Sequence, residues 1–245
     1  MQDWLCALLV FVITFAGSFV QNIAGFGFVI MCMAFFPMFL PIGTSLVAAQ
    51  AGGALLSFVM LFGRFREIKW SYAAPPVIGA SAASLLGLLF LGGIGAEAYM
   101  IALGVLLVLL ALWMWKLSDR VKIKPSPLSG GICGALGGLM GSVFGVSVPP
   151  IVLYYTSNMG EDKDGYMAPL QLTLFVQTAV CLAGRAALGM WPSGVWPLVA
   201  AAAAGLLLGK IPGSRIYGRL DVKRLRIIIY IFIALLGLYT IFSNI

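Results

Sequence analysis

Sixty consecutive residues, Trp4 to Gly63, carry no charged side chain, and nothing else in the sequence constrains the fold so tightly. A hydrocarbon core about 30 Å thick is crossed by roughly 20 helical residues. Further uncharged runs of 27 (Trp70 to Ala96), 18 (Ala98 to Trp115), 36 (Pro125 to Gly160), 20, 24 and 19 residues follow. Only 9% of the 245 residues are charged and 62% are hydrophobic, whereas a soluble domain carries about 25% charge. A water-soluble globule of this size could not bury so much apolar surface. A transmembrane barrel would need strands of about 10 residues alternating polar and apolar side chains, and these runs are apolar on every face. Helices are the remaining way to satisfy the backbone in lipid, so an all-α polytopic membrane protein is expected, with the lipid bilayer as its principal partner.

The residue inventory excludes several functions. The chain has no histidine, which removes the commonest metal ligand and the commonest general acid or base. Enzyme chemistry, a metal and a cofactor are therefore not expected. The net charge of +7 could suit a nucleic acid, but the basic residues sit in short loops between apolar runs, as positive-inside topology requires. No nucleic-acid partner is expected. The four cysteines, Cys6, Cys32, Cys133 and Cys181, lie inside apolar runs without CxxC spacing and read as small buried hydrophobes. The start, MQDW, has no basic residue ahead of the apolar stretch and no clear cleavage site, so Met1 to Val20 is expected to be a first membrane segment.

Ten segments are expected. The long uncharged stretch is punctuated at Asn22 to Gly27 and at Pro41 to Ser45, which gives Trp4 to Gln21, Phe26 to Leu40 and Thr44 to Phe62. Ser71 to Leu91 and Ala98 to Trp115 complete the first half; Leu128 to Phe144, Val146 to Ser157, Met167 to Ala187, Gly194 to Leu208 and Ile227 to Phe242 make up the second. Residues also recur at a constant offset. Gly17 and Gly25 match Gly137 and Gly145 at 120, and Gln50, Arg64, Trp70 and Pro76 match Gln171, Arg185, Trp191 and Pro197 at 121. This pattern predicts one membrane domain, 1–245, made of two fused five-segment repeats, about 4–116 and 128–243, joined by a basic linker at 116–127. If every segment crosses, 14 of the 15 Lys and Arg residues fall on one side and only Arg185 on the other. That side is expected to be cytoplasmic, in the cell (inner or plasma) membrane, with both termini outside. The short second segment of each half leaves a second count open, eight full spans plus two short or broken pieces. An odd number of crossings per repeat makes the two copies inverted, as in secondary transporters.

The second segments are the shortest apolar pieces, and each follows a glycine-rich break. Paired breaks of this kind point to a transport site, because a new helix N-terminus offers backbone N–H groups to an anion. Gly25, Gly27 and Gly145 would let the backbone approach a ligand, although small residues also serve close helix packing. Polar side chains inside the apolar runs are few. Gln50 and Gln171 can each donate an amide N–H to an anionic oxygen. Gln21 and Asn22 precede the first break, Ser142 and Ser147 flank the second, and Thr173 and Gln177 follow Gln171 near one helix face. Together they outline a neutral, donor-rich cavity, with interhelical hydrogen bonding as the plainer alternative for each. Arg64 and Arg185 are expected at opposite membrane faces, as mouths of the pathway or as interfacial anchors. No carboxylate lies deep in any segment, so a proton relay has no carrier. An anion leaving a negative interior moves downhill by about 2.3 kcal/mol per charge per 100 mV, which favours export.

The stretches GSFVQNIAGFGF and GGICGALGGLMGSVFGVSVPP, followed by LGKIPGSRIYGRLDVKRLRIIIYIFIALLGLY, resemble the TauE/SafE sulfite-exporter family over nearly the whole chain. The resemblance implies a multi-pass transporter of a sulfur-containing anion such as sulfite, thiosulfate, sulfoacetate or another organosulfonate, with the glycine-rich breaks near the pathway. Proton-coupled uptake of such an anion stays open, as does a membrane structural or assembly protein whose glycines only pack helices.

Overall fold

In the computed structural model, which describes residues 2–91, 95–116, 123–159, 163–216 and 222–243, the described residues are helical with no strand. In chain order they form α1 (Gln2–Ala24), α2 (Phe28–Phe35), α3 (Ile42–Leu61), α4 (Trp70–Leu91), α5 (Ala96–Lys116), α6 (Pro127–Phe144), α7 (Val148–Met159), α8 (Lys163–Ala187), α9 (Trp196–Ile216) and α10 (Val222–Phe242). Six carry apolar stretches long enough to cross a membrane: Trp4–Ile23, Ile42–Leu61, Trp70–Leu89, Ala96–Trp113, Pro127–Phe144 and Gly165–Ala187. Phe28–Met38, Trp196–Pro212 and Ile233–Phe242 are shorter apolar pieces.

Helix boundaries follow backbone chemistry. Gly25 ends α1 at φ 89° while its N–H reaches the Gln21 carbonyl at 2.7 Å. Gly27, at φ 118°, then starts α2. Gly145 closes α6 at φ 79°, with its N–H on the Gly141 carbonyl at 3.0 Å. Left-handed backbone of this kind costs side chains other than glycine roughly 1–2 kcal/mol. The N-terminus of α6 is held by Ser126 and Ser129, whose hydroxyls each accept the other's backbone N–H.

Boundaries differ from the sequence expectation in both directions. The segment Phe26 to Leu40 is not one helix: α2 stops at Phe35, and Phe36–Met38 form a 3-10 turn around Pro37. In the other direction, α9 runs past Leu208 to Ile216 through Lys210 and Pro212. Lys210 is tolerated because its ammonium donates to the Val59 carbonyl at 3.4 Å. Parts of the predicted linker (117–122), of the acidic loop (160–162) and of the last basic loop (217–221) lie outside the described residues.

The helices pack in a crossed pattern. The most extensive contacts are α4 with α6, α1 with α9, α5 with α10 and α3 with α8. Without a hydrophobic force between helices in lipid, close approach depends on small residues. A Cβ on Gly134 would collide with the Pro76 backbone, and one on Gly138 with the Ala80 backbone, where α6 meets α4. Gly205 and Gly209 of α9 stand in the same relation to the Phe11 and Phe15 carbonyls of α1, and Gly104 of α5 to Gly237 of α10. Hydroxyl bonds join the same pairs: Ser18 donates to the Leu206 carbonyl at 2.7 Å and Ser84 to the Gly138 carbonyl at 3.2 Å. The pair α3 and α8 is the interior of the bundle, with 61% of each helix window buried against 33–39% for the other four long helices.

Candidate functional site

The central helices place one glutamine each against the opposite half of the chain. Gln171, on α8, donates from its amide to the Gly25 carbonyl at 2.9 Å, in the break between α1 and α2. Gln50, on α3, donates to the Gly141 carbonyl at 2.8 Å, one turn before the break between α6 and α7. Both glutamines are buried.

Around Gln171 the network is closed and neutral. Gln21 donates to the Gln171 side-chain oxygen at 3.4 Å, and its own oxygen accepts the Phe28 backbone N–H at 3.1 Å. Phe28 opens α2, so one of the N–H groups that a helix start would offer an anion is already satisfied. The first turn of α7 is poorer still, since Pro149 and Pro150 have no N–H to give. The backbone donors expected at the two breaks are therefore scarce.

Around Gln50 the network holds a charge. Arg185 is only 1% exposed. Its Nε donates to the Gln50 side-chain oxygen at 3.3 Å and its Nη2 to the Ser142 carbonyl. It is therefore enclosed by helices and not exposed as an interfacial anchor would be. A side chain in the last turn of a helix leans toward the helix N-terminus, so from α8 the guanidinium turns back into the bundle. The set of polar groups expected to be neutral thus includes a cation. Cys181, one turn earlier on α8, lies against the same guanidinium and Gln50.

The other expected residues are distributed differently. Gly27 and Gly145 are buried at the two breaks, and Ser147 is buried where α6 meets α7. Asn22 is half-buried and donates back to the Ser18 carbonyl of its own helix at 2.8 Å. Thr173 and Gln177 do not join Gln171: Thr173 shares a 2.7 Å hydrogen bond with the Tyr155 hydroxyl, and Gln177 donates to the Ser84 hydroxyl at 3.0 Å. Arg64 sits in the loop after α3, with its Nε on both Glu67 carboxylate oxygens at 3.1 and 2.9 Å. It therefore has no structural likeness to Arg185, its counterpart in the sequence.

Comparison with known proteins fits this architecture. The profile of the family described as "Sulfite exporter TauE/SafE" matches residues 9–240. The chain belongs to that family. A curated Cupriavidus necator member, "Probable sulfite/organosulfonate exporter TauE", is 27% identical over 157 residues, and the match takes in 57% of each chain. The chain thus spans little more than half the length of that TauE/SafE relative. No solved structure matches. Within this TauE/SafE chain, two groups beside the charged network were not singled out from the sequence. Tyr99 is buried, donates to the Val143 carbonyl at 3.0 Å and packs its ring 5.5 Å from that of Phe144. Ser84 joins α4 to α6 and receives Gln177. Tyrosine near the start of an apolar run and serine within one are too common to signal such roles.

Proposed function

We propose that this chain is a membrane exporter or facilitator of a small sulfur-containing anion, such as sulfite, thiosulfate or an organosulfonate. The observation that carries the reading is the crossing of the two central glutamines, Gln171 bonded to the Gly25 carbonyl in the break of the first half and Gln50 to the Gly141 carbonyl one turn before the break of the second. Family membership supplies the substrate class.

The reading includes two five-helix units, α1 to α5 and α6 to α10, inverted in the membrane. Helix pairing supports it: exchanging the units turns the α1 and α9 contact into that of α6 and α4, and returns α3 with α8 and α5 with α10 to themselves. The hydroxyl bonds between Ser18 and Leu206 and between Ser84 and Gly138 fall at positions that correspond to within one residue. Alternating exposure would then be a rocking of one unit against the other around α3 and α8, with the glutamines keeping the breaks in register. The charge distribution favours cytoplasmic basic loops and external termini.

Flux of labelled sulfite, thiosulfate and an organosulfonate into proteoliposomes, under a set membrane potential, tests the proposal. Uptake that reverses with the sign of the potential is expected. No flux for any of the three would sink it and would favour an assembly role.

A further inference from the structure

Two clusters that correspond in sequence differ in charge. The cluster of Gln21, Gln171 and Gly25 is neutral, with its donors and acceptors matched to one another. The cluster of Gln50, Ser142 and Arg185 contains a fully buried guanidinium whose partners, among the described residues, are two uncharged oxygens and the Cys181 thiol. The ion pair found among those residues joins Arg64 to Glu67, in a loop, and Glu97, on the first turn of α5, is exposed. A buried cation without a counter-charge is held at a cost that an anion in the same place would relieve. Guanidinium has five N–H donors in a planar fork that fits two oxygens of one oxyanion, and the contacts to Gln50, Ser142 and Cys181 leave donors to spare.

We propose that the transported anion binds at Arg185 and Gln50, beside the break at Gly145, and that this site takes ligands bearing one negative charge. The inference rests on the transport reading and deepens it. The ligand exchanges places with the two neutral acceptors. One charge then closes the site at net neutrality, whereas a second would be buried against carbonyl and amide groups. A sulfonate or hydrogen sulfite therefore fits, and a dianion is disfavoured. The Gln21 and Gln171 cluster has no such charge and serves as a structural latch, so the two halves are unequal in function.

The test measures binding to the purified full chain in detergent, by titration calorimetry at constant ionic strength. Methanesulfonate is the singly charged probe, and sulfate and thiosulfate are the doubly charged ones. The expected result is methanesulfonate affinity at least tenfold above either dianion. R185Q should lose at least tenfold in methanesulfonate affinity together with the discrimination, and R185K should keep the discrimination with weaker binding. If Arg185 merely caps the end of α6, R185Q and R185K lower the melting temperature and the charge preference stays. That outcome overturns the inference, as does equal binding of one and two charges by the wild type, which needs no variant to fold. Anion flux in proteoliposomes without this charge preference would remove the site assignment alone, while absence of all flux would remove the transport reading.

Discussion

Truncating Gln171 to alanine removes three contacts at the interior of the bundle, and its cost can be worked from their geometry. The amide donation to the Gly25 carbonyl is short, 2.9 Å, the bond received from Gln21 is long, 3.4 Å, and Met167 sulfur lies 3.3 Å from the amide nitrogen. Side-chain hydrogen bonds between membrane helices contribute about 0.6 kcal/mol on average and up to about 1.7. The short bond belongs near the top of that range and the long one near 0.5. The Gly25 carbonyl is then left buried without that partner, which adds roughly 1 kcal/mol. Gln171→Ala should therefore cost about 2–3 kcal/mol. Gln50→Ala should cost more, about 3–5 kcal/mol, because it also strips a partner from a buried charge. Unfolding of the purified protein in mixed micelles, followed as denaturing detergent is added, gives both values. In the cycle of Gln21→Ala with Gln171→Ala, the coupling should be about 0.5 kcal/mol, the worth of the shared long bond. A Gln171→Ala loss below about 0.5 kcal/mol, or a loss exceeding that of Gln50→Ala, would refute the reasoning.

Three further outcomes are expected. Gly145→Ala should destabilise by about 2–3 kcal/mol, since the new Cβ would sit 2.9 Å from Met33 Cγ as well as at positive φ, whereas Gly189→Ala, also at positive φ but in open space, should lose only about 1–2 kcal/mol; equal losses in the same unfolding assay would contradict the packing. Gly134→Ala should separate α6 from α4 and cost about 1–3 kcal/mol or more, because its Cβ meets the Pro76 backbone, while Gly131→Ala, with nothing within 4 Å, should be neutral or slightly stabilising. Cysteines introduced as Lys124→Cys and Ser193→Cys, both at exposed positions, in a Cys6→Ser background should react with an impermeant thiol reagent from opposite sides of membrane vesicles; Cys6 is partly exposed whereas Cys32, Cys133 and Cys181 are buried, and labelling of both from one side would overturn the orientation read from the charges.

The order and approximate length of the helices were legible in the sequence, because in lipid an apolar run has no option but to satisfy its own hydrogen bonds. Glycine and proline mark where those bonds must stop, and the breaks at Gly25 and Gly145 fall where the sequence puts them. The end of α9 was not legible. Lys210 and Pro212 read locally as loop residues, and only the presence of α3 beside them gives the ammonium the Val59 carbonyl. The repeat offset singled out Gln50 and Gln171 as counterparts, yet it said nothing about which backbone each would reach. Those partners lie 91 and 146 residues away, on helices whose neighbours are set by packing.

The sequence alone therefore determined the solvent, the secondary structure and the scarcity of buried charge, since each follows from how many charged and apolar groups stand in a row. The tertiary structure decided what that scarcity means. A helix apolar nearly all round gives no local sign of which way it is rotated, so the direction of one side chain in its last turn depends on the helices packed against it. Arg64 and Arg185 stand 121 residues apart, at matching places in the sequence pattern, and packing left the first beside Glu67 in a loop and turned the second inward onto Gln50.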